Sequence, residues 1–428
     1  MKLIRGILPS LPFLAITSLA ITSPAFAQEG ADTKGIKLDS AILAKVTPEA
    51  IESRIAQIRM GDLIIKAAAG AKVKIEQKRH EFLFGTAIPN SLAENSENPM
   101  TAQDREKYLR VLAENFNYAV HENALKWYDN EKQRGVVDYS VADRIWEIAH
   151  SMNIPMRGHT IYWEKQEFLQ DWIKALNNDE LRLAVKNRAE SLMTHFKGRI
   201  DEFDLNNEMI HGDFFRRRLG YGVISEMAWM VKAYNPSARL CVNDYGIVDV
   251  GYNAGPYAIQ IENLLANGVP ISCIGIQAHR SHSGAINNTP YMVQRNLDRF
   301  HRFNLPIKIT EALFVYDTDE QRATELKKLF PIYFAHPDVE AILMWGFWEK
   351  DHWIPHSAMW KTDFTPTKQA QAYRDLVFGK WWTNTEMKAD KSGEVHTRAF
   401  YGDYVITVNG VSKNVKLSKA SGRTEIAF

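Results

Sequence analysis

From Phe82 to Trp348 the chain alternates short apolar runs with longer stretches whose apolar residues recur at helical spacing. The short runs are FLFGTAI (82–88), FNYAVHEN (116–123), IPMRGHTI (154–161), IDEFDLNNE (200–208), RLCVNDY (239–245), SCIGIQAH (272–279), PIKITEA (306–312) and AILMWGFW (341–348). Between them, segments such as DREKYLRVLAENF, VADRIWEIAHSM and DELRLAVKNRAESLMTHF carry the period of an amphipathic helix. Eight such strand–helix units in series predict an α/β chain folded as a closed (β/α)8 TIM barrel over residues 82–378. A doubly wound open sheet is the competing arrangement, but no glycine-rich phosphate turn follows the first strand.

The flanks break this rhythm. Residues 28–81 read as a linker, a short helix and an N-terminal β arm, in which Leu63 to Lys66 and Val73 to Gln77 alternate on either side of Gly70 and predict a hairpin. Residues 379–428 read as a small C-terminal β appendage with a tight turn at Asn409-Gly410. At the start, Lys2 and Arg5 precede an apolar run from Ile7 to Ile21 that ends in Ala25-Phe26-Ala27. This is the pattern of a secretory signal cleaved near Ala27, so residues 1–27 are expected to be removed and the protein to be secreted or periplasmic. Pro9 and Pro12 interrupt the run, which is also short of the ~20 apolar residues a membrane span needs.

Composition changes the picture little. The 428 residues are 45% hydrophobic and 24% charged, ample for a large core, and the formal net charge of +1 offers no global field to recruit nucleic acid or an anionic membrane. A monomer acting on a neutral ligand is the expectation, without cofactor or metal. The two cysteines, Cys241 and Cys273, lie inside strand-like runs and read as buried free thiols, although an exported protein could pair them.

Candidate chemistry lies at the strand ends. Asn123, His159, Glu208, Asn243, Gln277, His279, Glu311 and Trp345 all fall at or just past the C-terminal ends of predicted strands, the face on which barrels carry their active sites. Among them only Glu208 and Glu311 are carboxylates, placed on the fourth and seventh strands. Two carboxyl groups facing one another suit glycosidic cleavage, one protonating the leaving oxygen while the other attacks or activates water. Trp163, Trp345, Trp348 and Trp353 supply flat apolar faces for a sugar, with core packing an equal reading for Trp348. Metal-assisted hydrolysis through His159, His279 and Asp244 is a further possibility, but no metal-binding spacing accompanies them.

HENALKWYDNEKQRG (121–135), RGHTIYWEKQ (157–166), FDLNNEMIHG (203–212), VNDYG (242–246), CIGIQAH (273–279), PIKITEA (306–312) and MWGFWEKDHW (344–353) follow one another in an order that resembles glycoside hydrolase family 10, the endo-β-1,4-xylanases, and especially its plant-like branch. The resemblance covers Phe82 to Phe378. It implies a retaining endo-acting hydrolase of β-1,4-xylan that works through a covalent glycosyl-enzyme. Glu208 matches the acid/base, Glu311 the nucleophile, Asn207 the partner of the sugar 2-hydroxyl, and His279, two residues beyond Gln277, the imidazole that contacts the nucleophile. Glu122, Asn123, Lys126, His159, Trp163 and Gln166 match positions lining the glycone side, Trp345 and Trp353 its aromatic walls, and Tyr245 the tyrosine of the fifth strand end.

Two departures stand out. Many members place Asp two residues after the nucleophile, where this chain has Leu313, so the support of His279 is open, with Glu164 and Asp317 as the obvious substitutes. Many also have a second His after the Trp of the third motif, where Glu164 stands here, as it often does in the plant-like branch. A β-glycanase of other polysaccharide specificity and an inactive sugar-binding barrel are the alternatives.

Overall fold

The computed structural model describes residues 38–249, 251–281 and 289–428; the expected signal segment, 1–27, lies outside the described residues. Two short helices open the described chain, Ser40–Lys45 and Pro48–Arg59. The second starts where Thr47 accepts the amide of Ala50 and Pro48, which has no N–H to satisfy, occupies the first turn.

Strands β1 (Met60–Lys66) and β2 (Lys72–His80) follow, and they do not pair with each other. The barrel is then built from β3 (Leu83–Ile88), β4 (Tyr118–His121), β5 (Met156–Arg157), β6 (Tyr162–Trp163), β7 (Glu202–Asn207), β8 (Arg239–Asp244), β9 (Ile271–Ile276), the short β10 (His279–Ser281), β11 (Ile307–Val315) and β12 (Val339–Met344). All ladders among them are parallel. The third barrel strand is split: β5 pairs with β4, β6 pairs with β7, and a bridge from Gly158 to Phe203 joins the two pieces and closes the barrel. A Cβ at 158 would stand 2.1 Å from the Phe203 ring, so only glycine permits this closure.

The remaining strands, β13 (Asn384–Lys388), β14 (Glu394–Phe400), β15 (Gly402–Val408), β16 (Val411–Leu417) and β17 (Arg423–Ala427), join the N-terminal pair. One sheet has the order β14-β1-β17 and the other β13-β2-β15-β16, with Leu63, Ile65, Val73, Ile75, Val395, Tyr404, Ile406 and Leu417 in the core between them. The hairpin expected around Gly70 is therefore not formed. Alternation correctly marks the buried face of β1 and β2, but their partners come from more than 300 residues later in the chain. At Asn409-Gly410 the expected tight turn is present, with φ of 48° and 86° joining β15 to β16.

The two cysteines are not free thiols. Cys241 on β8 stands directly opposite Cys273 on β9, their Cα atoms 4.6 Å apart, and the two are joined in a disulfide. Among the described residues no helix is long and apolar enough to cross a membrane.

Arg59, buried at the end of the second helix, ties that helix to the barrel: Nε donates to Phe334 O at 2.8 Å, and Nη2 to His336 O at 2.8 Å and Val339 O at 2.6 Å. Its guanidinium also lies 4.5 Å from the Phe82 ring. Arg59→Met keeps most of the packing but leaves three carbonyls without donors, and should cost about 3 kcal/mol in urea unfolding; a loss under about 0.5 kcal/mol would mean the tie is not structural.

Candidate active site

The strand ends are laced together before any side chain is considered. Glu208 N–H donates to Asn243 O, Gln277 N–H to Asp244 O and Glu311 N–H to Gln277 O, at 2.9–3.1 Å, so the backbone fixes the spacing of the fourth to seventh strand ends. Glu208 adopts φ 57° and Ala278, just before His279, φ 62°. Non-glycine residues rarely hold that left-handed conformation, and both flank the carboxylate pair.

Glu311 is buried and multiply supported. Its Oε1 accepts Asn243 Nδ2 at 2.9 Å, and its Oε2 meets His279 Nε2 at 3.1 Å. Asn243 also donates to Asn207 Oδ1 at 3.0 Å and accepts the Thr310 hydroxyl at 2.7 Å, so one amide spans the interval between the fourth and seventh strands. Burial alone would push the Glu311 carboxyl up; the His279 hydrogen bond, the positive field of His159 and His279, and the Asn243 amide outweigh it and hold the group down at about 2. This carboxylate is ionised at any ordinary pH.

Glu208 lies in different surroundings. Gln277 Nε2 donates to Oε1 at 3.0 Å, while Trp163 Nε1 at 3.3 Å and Lys165 Nζ at 3.2 Å both reach Oε2. Lys165 also passes 5.7 Å from the Tyr245 ring, which is stacked on His211 at 3.6 Å. Neither Lys165 nor Asn243 belongs to the site set expected from sequence. Asn243 was marked only as a strand-end residue, and Lys165 gave no signal beyond its place between Trp163 and Gln166.

On the other side, Lys126 is buried with Nζ 3.0 Å from Asn123 Oδ1 and lies 4.9 and 5.6 Å from the rings of Trp163 and Trp345. Burial lowers its pKa against the pull of Glu311, Glu122 and Glu208. Glu122 is pushed up to about 7, first by burial and then by the nearby Asp351 and Glu311 charges, with Lys126 opposing. His159 gives Nδ1 to Asp204 at 2.8 Å and meets the Trp345 ring edge-on at 5.4 Å. Trp353 is 61% exposed, with its ring 5.5 Å from that of His279. Trp348 is buried, stacked on Phe364 with its N–H on Thr362 O, and packs in the core. Gln166 is exposed and accepts from Arg217 at 3.2 Å, away from the two glutamates' partners.

Leu313 lies opposite His279 in the β10–β11 register and is buried, and among the described residues His279 Nδ1 has no hydrogen-bond partner. Glu164 does not take the missing place: it is buried, accepting Arg216 Nε and Asn206 Nδ2, both at 2.9 Å. The residues of the metal-assisted alternative are likewise committed elsewhere, His159 to Asp204, His279 to Glu311, and Asp244 to His211 and the Ile210 amide.

A family profile described as Glycosyl hydrolase family 10 matches residues 74–377. The chain is 34% identical over 383 residues to the anti-sigma-I factor RsgI6 of Acetivibrio thermocellus, covering 88% of this chain and 48% of that protein. It is 33% identical to endo-1,4-beta-xylanase 1 of Arabidopsis thaliana, covering 86% and 38% respectively. It thus spans half or less of the length of these curated relatives. Among solved structures, native xylanase 10B from Thermotoga maritima superposes with a TM-score of 0.61 at 25% identity, over 70% of this chain and 96% of that one.

The raised Glu122 carboxyl makes a linkage prediction. In the folded protein Glu122 holds its proton up to about 7, above the usual glutamate value of 4.5, so its contribution to stability is complete below 4.5 and is lost as pH rises through 7. Glu122→Gln removes the buried charge, and should raise the melting temperature more at pH 8 than at pH 5. Equal shifts at the two pH values would show that Glu122 is not desolvated in this way.

Proposed function

The chain belongs to glycosyl hydrolase family 10, and from that premise we propose that it is a retaining endo-1,4-β-xylanase that cleaves xylan through a covalent glycosyl-enzyme on Glu311, with Glu208 as acid and then base. The observation that carries this reading is the unequal environment of the two glutamates, Glu208 just past the end of β7 and Glu311 inside β11, which runs on to Val315 beyond the expected strand end. Glu311 is fixed as an ionised carboxylate by His279 and Asn243, as a nucleophile requires, and Glu208 stands at the cleft end of β7 among partners able to change.

In this reading, Asn207 and Asn243 orient the sugar 2-hydroxyl and the nucleophile together, since one amide links them at 3.0 Å. Glu122, Asn123, Lys126 and His159 bind the glycone hydroxyls against Trp163 and Trp345, with Gln166 and Trp353 at the rim, and Tyr245 receives the leaving sugar. Gln277 holds Glu208 by its Oε1. Export after cleavage near Ala27, action as a monomer and independence of metal or cofactor complete the proposal. The unpartnered Nδ1 of His279 beside Leu313 favours one second reading, a barrel that binds the polysaccharide without cutting it.

The assay that separates these readings is product analysis on xylan, mixed-linkage glucan and cellulose. Release of xylo-oligosaccharides with retained anomeric configuration is expected. No release from xylan, by protein that still binds it, would establish the second reading. Glu208→Ala should slow xylan hydrolysis by about 10²–10⁴-fold while a dinitrophenyl xylobioside still glycosylates Glu311, and azide should then accelerate turnover. Glu311→Ala should lack that azide response on the same substrate; equal rescue of both variants with retention would show that the two roles are misassigned.

A further inference from the structure

Among the described residues, the side-chain groups bonded to the Glu208 carboxylate are all donors: the Gln277 amide on Oε1, and the Trp163 indole and Lys165 ammonium on Oε2. Such a shell favours the carboxylate over the carboxylic acid, because three donors, one of them cationic, stabilise the negative charge. A general acid must nevertheless carry a proton, for which one lone-pair site on Oε1 is left free, and the donor whose retreat eases protonation most is the cation. The indole of Trp163 is held by face-to-face stacking on Phe168 at 3.8 Å. Gln277 follows the end of β9, its own amide bonded to Asp244 O. Lys165 is the long, flexible member of the three, and its Nζ bridges two anions, 3.2 Å from Glu208 Oε2 and 3.2 Å from Glu167 Oε1.

Resting on the xylanase reading above, we propose that Lys165 is a positioning residue, one that bridges Glu208 and Glu167 and, by keeping or releasing Glu208 according to whether the leaving side of the cleft is filled, biases the protonation of the acid/base. With that side empty, Lys165 bridges Glu208 and Glu167. A leaving sugar arriving beside Tyr245 enters the space within 5.7 Å of Nζ and moves the ammonium toward Glu167; Glu208 then takes a proton from solvent. Glu208 gives that proton to the glycosidic oxygen as the C1–O bond breaks, the bonding pair leaves with that oxygen, and a Glu311 oxygen bonds to C1. Once the leaving sugar departs, Lys165 returns and favours the carboxylate form of Glu208 that the second step uses. Water attacks C1 and loses its proton to Glu208, and the C1–O bond to Glu311 breaks with its electron pair returning to the Glu311 carboxylate.

Lys165 keeps its own charge throughout. Burial lowers its pKa, but Glu208, Tyr245 and Glu167 together raise it above the ordinary lysine value. Among the described residues, His211 stacks on Tyr245 and pairs with Asp244, and Arg216 donates to the Gly212 carbonyl; also near the pair are Lys126, across the Trp163 ring, and Glu311 beyond Asn243. Neither can substitute for a cation on Glu208 Oε2, since Lys126 is held at Asn123 and Glu311 is itself an anion.

The test compares wild type, Lys165→Gln and Lys165→Arg on two substrates. On dinitrophenyl β-xylobioside, whose first step needs no proton, Lys165→Gln should lower the steady-state rate about tenfold while keeping the initial burst of dinitrophenolate. On xylotetraose, the alkaline limb of kcat/KM should move up by roughly one pH unit, because the acid form of Glu208 persists to higher pH without the cation. Lys165→Arg should stay near wild type in both. An unmoved limb in Lys165→Gln, with or without a uniform loss of kcat, overturns the proposal and leaves Lys165 a packing residue. Wild-type protein that hydrolyses neither substrate defeats the preceding reading instead.

Discussion

The barrel interior is organised around one carboxylate, that of Asp204. It is fully buried, and its two oxygens are divided between two cations or potential cations: Arg157 Nη2 on one, and His159 Nδ1 on the other at 2.8 Å. Arg157 continues to Glu202 at 3.3 Å, and Glu202 to Arg239 and Lys308, each at 3.3 Å. In the other direction, His159 meets Trp345 and contributes to the positive field that keeps Glu311 ionised. Taking so many charges out of water is expensive, and mutual pairing at best offsets it; removing one partner from such a network typically costs about 3–5 kcal/mol. The polar run of the fourth strand is thus not an anomaly within a buried segment. Glu202 and Asp204 complete the ion network, Asn206 supports Glu164, Asn207 meets Asn243, and Glu208 is delivered to the cleft.

That accounting explains which parts of the molecule were legible in the sequence. The eight barrel strands were readable because apolar periodicity is local, and Glu208 and Glu311 because a lone charge at a strand end is conspicuous. The partners were not readable. Whether β1 pairs with β2 or with strands from the far end of the chain depends on which edges are available in three dimensions, and alternation records only the buried face. Cys241 and Cys273 look like any two small buried residues until the β8–β9 register places them opposite each other. Gly158 is one glycine among 24, and its function as the closing residue of the split third strand depends on the approach of Phe203 from 45 residues later.

Glu164 illustrates how a departure in one motif is absorbed by another part of the chain. Burial pushes its carboxyl up to about 7 against the pull of Arg216. Arg216, held at Nε by Glu164, turns Nη2 onto the carbonyls of Met209 and Gly212, in the turn that follows Glu208. Gly212 lies so close to the Glu164–Lys165 backbone that a Cβ there would come within 2.7 Å of Lys165 N. The third-strand motif and the loop after the fourth strand are therefore one packed unit, and the left-handed turn at Glu208 is fixed from outside the cleft rather than by the substrate side.

The two glutamates consequently differ in a way that simple distance between them would not disclose. Glu311 is surrounded by side chains that are themselves tied: Asn243 is bonded to Asn207 and Thr310, and the His279 ring, with Leu313 across the ladder, has Glu311 as its one hydrogen-bond partner among the described residues. Fixed donors around a nucleophile cost no reorganisation as its charge is consumed and restored. In the proposed reaction Glu208 has to exist in two protonation states within each turnover, and a shell as rigid as that of Glu311 would hold it in one of them. The same physical rule, donors favouring the charged form, thus separates the two sites: Glu311 on β11 is held by a fixed amide and an imidazole, whereas the shell of Glu208 beside β7 includes the ammonium of a long side chain, Lys165.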